Sequence, residues 1–139
     1  MRVAITGITG SLGSALLARL AVSGADRIVG FSRDEQRRLA LASRYSWNPG
    51  VKIYAGDVRD ASRLRDIFAS CECVIHAAAR KVVSAQFDEP HEMYLTNIVG
   101  TTNVVQAARA AGVRKLLFIS SDKAVHACNV YGASKMMAE

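Results

Sequence analysis

The chain has 139 residues, half of them hydrophobic, and a formal net charge of +6. That length fits one globular α/β or α+β domain with a core of its own and leaves no room for a second. Basic residues sit among acidic neighbours in "SRDEQRR" and "RDASRLRD" rather than in a block, which argues against nucleic acid, and stretches such as "ALLARLAV" fall well short of the ~20 residues of a membrane span.

The start, "MRVAIT", enters a β-branched run without the charged region and cleavage site of a secretory signal, so a cytoplasmic location is expected. The first strand is expected over residues 3 to 6 and runs into "TGITGSLG", residues 6 to 13, before the helical pattern "SALLARLAV". Gly7, Gly10 and Gly13 stand three apart. Such a turn needs glycine where φ is unusual and where backbone approaches a pyrophosphate, and the helix start adds N–H groups and partial positive charge. A plain turn could show the same triplet, but its place between strand and helix favours dinucleotide binding, with Thr6, Gly7, Thr9, Gly10, Ser11, Leu12 and Gly13 as contacts.

The second strand, "RIVGFS" over 27 to 32, ends in Ser32-Arg33 where an NAD-binding domain usually carries an acid for the ribose 2′-hydroxyl. NADP is therefore favoured, with NAD possible, and Ser32 and Arg33 are candidate ligands of the 2′-phosphate. Alternatively Ser32 caps the next helix, with Glu35 at capping-box spacing, and Arg33 is solvated. After the third strand, "VKIYAG" over 51 to 56, Asp57 and Val58 are placed to flank an adenine ring. The fourth strand, "CVIHAAA" over 73 to 79, ends in Ala77, Ala78 and Ala79, which either admit a cofactor closely or simply pack. Pro90 suits a first helical turn and Gly112 an end for the long helical pattern through "EMYLTNIVGTTNVVQAARAAG". The fifth strand is "KLLFISS", 115 to 121, and a sixth helix begins near Tyr131.

Strand and helix alternate throughout, which predicts an α/β parallel sheet of at least five strands covered on both faces; with the dinucleotide-binding turn, the expectation is a Rossmann-like doubly wound sheet in its usual order, 3-2-1-4-5. Residues 1–139 are read as a single NAD(P)-binding domain. An open sheet of this kind normally continues, so the C-terminal end comes early. Cys71, Cys73 and Cys128 have no recurring spacing and are read as buried or incidental, and no metal site is expected.

Tyr131 and Lys135 are four apart at a helix start and so share a face. A lysine ammonium there favours tyrosinate, which could take a hydroxyl proton while the same carbon gives hydride to nicotinamide. Together, "TGITGSLG" and "YGASK" resemble the extended short-chain dehydrogenase/reductase family, and "FSRDEQ", "GDVRD", "HAAARK", "TNIVGTTNV" and "SSDKA" narrow the resemblance to the short, C5-inverting UDP-N-acetylglucosamine 4,6-dehydratases of bacterial surface-polysaccharide biosynthesis.

That resemblance implies a UDP-sugar substrate, UDP-N-acetylglucosamine first, and a reaction that oxidises C4, eliminates water across C5 and C6 and returns hydride to C6. It implies Asp122 as the acid at the C6 hydroxyl, Lys123 as the base at C5, and Ser121 where the family usually has threonine. Lys123 would need burial or nearby positive charge to be partly neutral. It further implies Asn97 as a support for Lys135, through helix backbone and water, and Lys81 as a contact for substrate or diphosphate. His76, inside a strand, and His126, in place of a family asparagine, are read as non-catalytic. Ala127 stands where the family has proline, which predicts a less rigid loop before Tyr131. Relatives continue beyond this point with a substrate-binding region, so the chain corresponds to their N-terminal portion and is expected to have low or no activity alone. A homo-oligomer is expected, with neither nucleic acid nor membrane as partner. A UDP-sugar 4-epimerase or reductase, which needs no Asp-Lys pair, is the alternative enzyme; a non-catalytic NADP-binding or assembly module is the alternative of another class.

Overall fold

The computed structural model describes residues 1–81 and 90–139. Its strands are β1 (Arg2–Thr6), β2 (Arg27–Ser32), β3 (Val51–Ala55), β4 (Cys73–His76) and β5 (Lys115–Phe118). Helices α1 (Ser11–Val22), α2 (Glu35–Arg44) and α3 (Ala61–Phe68) follow the first three strands. Between β4 and β5, α4 (Pro90–Met93) continues through a π-helical turn (Tyr94–Val99) into α5 (Gly100–Ala110), and α6 (Val130–Ala138) comes last. All pairings are parallel, in the order β3-β2-β1-β4-β5. This is the Rossmann-like doubly wound sheet the alternation predicts.

Alternate residues along the central strands feed two cores, as period-2 side-chain geometry requires. Val3, Ile5, Ile28 and Ile75 pack with Ile8 and Leu17 on one face. Ala4, Val29 and Val74 pack with Leu64, Phe68 and Val104 on the other. The strand β5 departs from this pattern, since Leu117 stays 53% exposed.

Several local expectations hold: α6 starts one residue before Tyr131, and Gly112 follows α5 with φ +68°, while Pro90 stands in α4. Two need correction. Ser32 does not cap α2; Asp34 does, its carboxylate accepting the Arg37 N–H at 3.0 Å. The fourth and fifth strands end at His76 and Phe118, short of the apolar runs, because β1 stops at Thr6, opposite His76, which in turn faces Phe118. Beyond those residues a single backbone bond follows on each side, from the Ala77 N–H to the Thr6 carbonyl and from the Ile119 N–H to that of His76.

Successive strands are added on one side of β1 up to β3 and on the other side from β4. At the carboxyl ends of β1 and β4, where the order reverses, a crevice opens, and α/β sheets of this type carry their sites there.

Candidate active site

A cleft of about 720 Å³ runs along the carboxyl ends of the strands. Its floor is the turn after β1. Gly7 adopts φ +69°, and a Cβ there would stand 2.8 Å from the backbone of Ala78. A Cβ on Gly13 would stand 2.3 Å from the Gly7 carbonyl oxygen. Both glycines are therefore required sterically, and both line the cleft. Gly10 caps α1 without a side chain to offer, so the first-turn N–H groups of Ser11, Leu12 and Gly13 get no cap from it and are suited to an anion.

Most of the predicted contacts come together here. Thr9, Gly10, Ser11, Leu12, Ser32, Arg33, Asp57, Val58, Ala77, Ala78, Ala79, Lys81, Tyr131 and Lys135 all line the cleft. Thr6 does not: it is fully buried, and its hydroxyl faces His76 at 2.6 Å while accepting the Ala78 N–H at 3.0 Å. The Ser32 hydroxyl lies 2.7 Å from that of Thr9 and accepts the Asp34 N–H, so it braces the turn as well as facing the cleft. Arg33 lies 3.6 Å from the Asp57 carboxylate, which Arg59 also holds at 2.8 Å. Burial raises the Asp57 carboxyl, but hydrogen bonds from Arg59 and the charges of Arg33 and Arg59 outweigh it and leave it below the usual carboxylate range.

At the opposite wall, Asn129 caps α6 by accepting the Gly132 N–H at 2.7 Å. A Cβ on Gly132 would stand 2.2 Å from the Lys123 carbonyl oxygen, so α6 is seated directly on the preceding turn. The loop lacking proline is thus fastened by other means, although His126 takes φ +51° within it. Lys135 is 3% exposed; its ammonium donates to the Ile119 carbonyl at 2.6 Å and lies 4.1 Å from the centroid of the Phe118 ring. Burial lowers its pKa to about 8, against a smaller opposing pull from Glu139.

Asn97, 2% exposed, lies in the π-helical turn. Its amide clasps Arg80 on both sides, accepting its N–H at 2.8 Å and donating to its carbonyl at 2.9 Å, and donates to the Ser134 hydroxyl at 2.8 Å. The link to Lys135 runs through the neighbouring Ser134, and the clasp holds the chain that leads to Lys81.

The resemblance-based acid and base are not in the cleft. Asp122–Ala124 form a 3₁₀ turn beside it, capped by Ser121, whose hydroxyl accepts the Lys123 N–H and donates to Asp122 at 3.1 Å. Asp122 is 86% exposed at its side chain and Lys123 50%, and the two pair at 3.5 Å. Lys123 therefore lacks the burial expected of it, and its ion-pair partner is a carboxylate. The Asp122 carboxyl is held below its ordinary range by the Ser121 hydroxyl and then by Lys123, the reverse of what an acid needs.

Seven residues that line the cleft were not singled out in the sequence: Phe31, Asp34, Arg37, Gly56, Thr96, Ile119 and Ser120. Ser120, not Ser121, lines the cleft, with its hydroxyl on Glu139. Thr96 also lines it, 3% exposed, and its buried hydroxyl has no partner among the described residues. Only tertiary placement marks them. Among the described residues, no three His, Cys, Asp or Glu side chains are grouped to hold a metal, and no helix is long and apolar enough to cross a membrane.

The model of one protein family, described as "Polysaccharide biosynthesis protein", matches residues 3–139. The chain is 38% identical over 138 residues to the inverting UDP-N-acetylglucosamine 4,6-dehydratase of Campylobacter jejuni, covering 99% of this chain and 41% of that protein. It is 39% identical over 139 residues to a UDP-glucose 4-epimerase of Rickettsia bellii, covering 97% of this chain and 40% of that one. The X-ray structure of Pen from Bacillus thuringiensis superposes with a TM-score of 0.95 at 35% identity, over 99% of this chain and 42% of Pen. The chain thus spans about two fifths of the length of these relatives.

Proposed function

Because this chain belongs to the polysaccharide biosynthesis protein family, we propose that residues 1–139 are the dinucleotide-binding and hydride-transfer part of a nucleotide-sugar enzyme that uses NADP. The observation that carries this reading is Tyr131 and Lys135 on the wall of the same cleft whose floor is the glycine turn. The residues fit a dinucleotide on three counts: the space kept clear at Gly7 and Gly13, the uncapped start of α1, and the unpartnered Thr96 hydroxyl. Gly10, Ser11, Leu12 and Gly13 would hold the pyrophosphate, Ser32 and Arg33 the 2′-phosphate, and Asp57 and Val58 the adenine side. When bound, the nicotinamide supplies a reversible hydride acceptor.

The chain's own residues do the proton work. Tyr131 takes the proton of the C4 hydroxyl, and the Lys135 ammonium, charged at neutral pH with a pKa of about 8, favours the tyrosinate that does so. Lys81, exposed at the cleft edge, is available to the diphosphate of a UDP-sugar.

For the complete reaction we favour a 4,6-dehydratase acting on UDP-N-acetylglucosamine, on the strength of the Ser121-Asp122-Lys123 run beside the cleft. A UDP-sugar 4-epimerase is the second reading, favoured by the position of Asp122 and Lys123 outside the cleft, since epimerisation needs only Tyr131 and Lys135. Incubation with NADP⁺ and UDP-N-acetylglucosamine in deuterated water separates them by mass spectrometry. A dehydratase yields a product lighter by one water that carries one deuterium, an epimerase a product of unchanged mass. Binding of NADPH with no product of either kind, in a form that also carries the substrate-binding region, would leave a cofactor-binding module.

A further inference from the structure

His76 closes β4 and lies opposite Thr6, the last residue of β1. It is 1% exposed, and both ring nitrogens are engaged. Nδ1 lies 2.6 Å from the Thr6 hydroxyl and Nε2 lies 3.0 Å from that of Thr101. The neighbours assign the protons. The Thr101 hydroxyl donates its one hydrogen to the Asn97 carbonyl at 2.6 Å, so its oxygen can only accept from Nε2–H. In the neutral ring Nδ1 is then an acceptor, and Thr6, whose oxygen already accepts the Ala78 N–H, donates to it.

Each arm of this imidazole ends on a different wall. Through Thr6 it reaches the residue that leads into Gly7 and, through the same hydroxyl, the alanine segment that Gly7 approaches. Through Thr101 it reaches Asn97, whose amide holds Ser134, the residue before Lys135. Its ring also sits 5.7 Å from that of Phe118, on which the Lys135 ammonium rests.

We propose that His76 is a positioning residue, an uncharged strut that spaces the glycine turn from the Tyr131 and Lys135 helix across the cleft through two separable arms, Nδ1 to the turn and Nε2 to the helical wall. The proposal rests on the dinucleotide reading of the cleft. A proton on Nδ1 would remove the acceptor that Thr6 needs and add a like charge facing Lys135. Burial, then the positive charge of Lys135 on α6, lower the ring's pKa to about 4. Its hydrogen-bonding and stacking neighbours from the other elements, Thr6 of β1, Thr101 of α5 and Phe118 of β5, are uncharged.

The test begins with the unaltered chain and no cofactor. Long-range ¹⁵N NMR of the imidazole, assigned by its loss in His76→Asn, should report the Nε2–H tautomer, unchanged from neutral pH down to about pH 5. An Nδ1–H ring, or titration near the ordinary value of 6.5, would overturn the proposal. The variants then divide the arms. His76→Asn can keep an acceptor near the Nδ1 position but cannot reach Thr101; His76→Gln reaches Thr101 but offers Thr6 nothing there. His76→Gln should weaken NADPH binding roughly tenfold with the Lys135 titration, read from its ¹³Cε shift, unmoved. The Asn variant should bind NADPH within about twofold while the Lys135 midpoint rises, and Thr101→Val should reproduce that rise. Equal effects of both variants on both readouts, in a chain that binds NADPH, would sink the strut alone. Failure of the unaltered chain to bind NADPH or NADH would sink the dinucleotide reading, and the turn arm with it.

Discussion

Gly13→Ala tests the geometry of the floor by the sign of its effect. Gly13 lies inside α1, where alanine is ordinarily the better helix former by about 1 kcal/mol. Without a steric obstacle the substitution should stabilise the protein. In this fold the new methyl would stand 2.3 Å from the Gly7 carbonyl oxygen and 2.8 Å from the Ile8 Cα, where ordinary contact begins at 3.4 Å. Both neighbours are backbone, so either the turn or the helix must move by about 1 Å, at the typical overpacking cost of about 1–3 kcal/mol. The clash outweighs the propensity gain, and the net expectation is destabilisation by up to about 2 kcal/mol with NADPH affinity reduced roughly tenfold or more. Gly24→Ala is the control: unlike Gly13 it has positive φ, +77°, and a Cβ there meets nothing within 4 Å among the described residues, so it should cost only the left-handed conformation, about 1–2 kcal/mol, with affinity unchanged. Urea unfolding and fluorescence titration read both quantities. A Gly13→Ala protein more stable than its parent, with intact binding, would refute the close approach.

Asn97→Ala leaves both backbone groups of Arg80 and the Ser134 hydroxyl without this partner, so it should destabilise the fold by about 2–4 kcal/mol in urea unfolding. Lys135 titrates at about 8 in the fold against 10.5 ordinarily, so the unfolded chain binds more protons between these values; stability should rise as pH increases from 8 towards 10.5. Thermal melts across that window should show the rise in the parent and not in Lys135→Met. Arg33→Ala removes a candidate 2′-phosphate ligand, so it should lower NADPH affinity about tenfold and leave NADH within about twofold, compared by titration.

The alternation of strands and helices and the glycine turn were legible because both depend on local signals, an apolar period and a spacing of three glycines. Errors arose where two local signals competed. Ser32 and Asp34 are both good caps two residues apart, and the structure uses the nearer one for α2 and frees Ser32 to bond Thr9. The apolar runs "HAAA" and "FISS" overstate their strands because ladder length is decided by the partner, and β1 ends at Thr6. The π-helical turn around Asn97, the burial of Thr96 and the choice of Ser120 over Ser121 for the cleft wall have no local signature. Each follows from how the helices seat against strands distant in sequence. His76 shows the same limit from the other side, since its position inside a strand gave no sign that both of its nitrogens bridge walls of the cleft.

Asp122 and Lys123 remain the sharpest point of choice between elimination and epimerisation. Their exposed pairing at 3.5 Å is of the kind worth about 0–1 kcal/mol, so a substrate that engages either side chain can part them at little cost. The backbone beneath them is fixed independently: α6 packs on the Lys123 carbonyl, which leaves no space for a side chain at Gly132. Lys123→Ala should therefore leave unfolding within about 0.5 kcal/mol of the parent and NADPH binding intact. If Lys123 is the base at C5, the same change should abolish deuterium incorporation there while Tyr131 and Lys135 still oxidise C4, visible as transient NADPH absorbance on adding UDP-N-acetylglucosamine. Unchanged incorporation would remove Lys123 from the chemistry and leave the hydride-transfer pair as the basis of an epimerase.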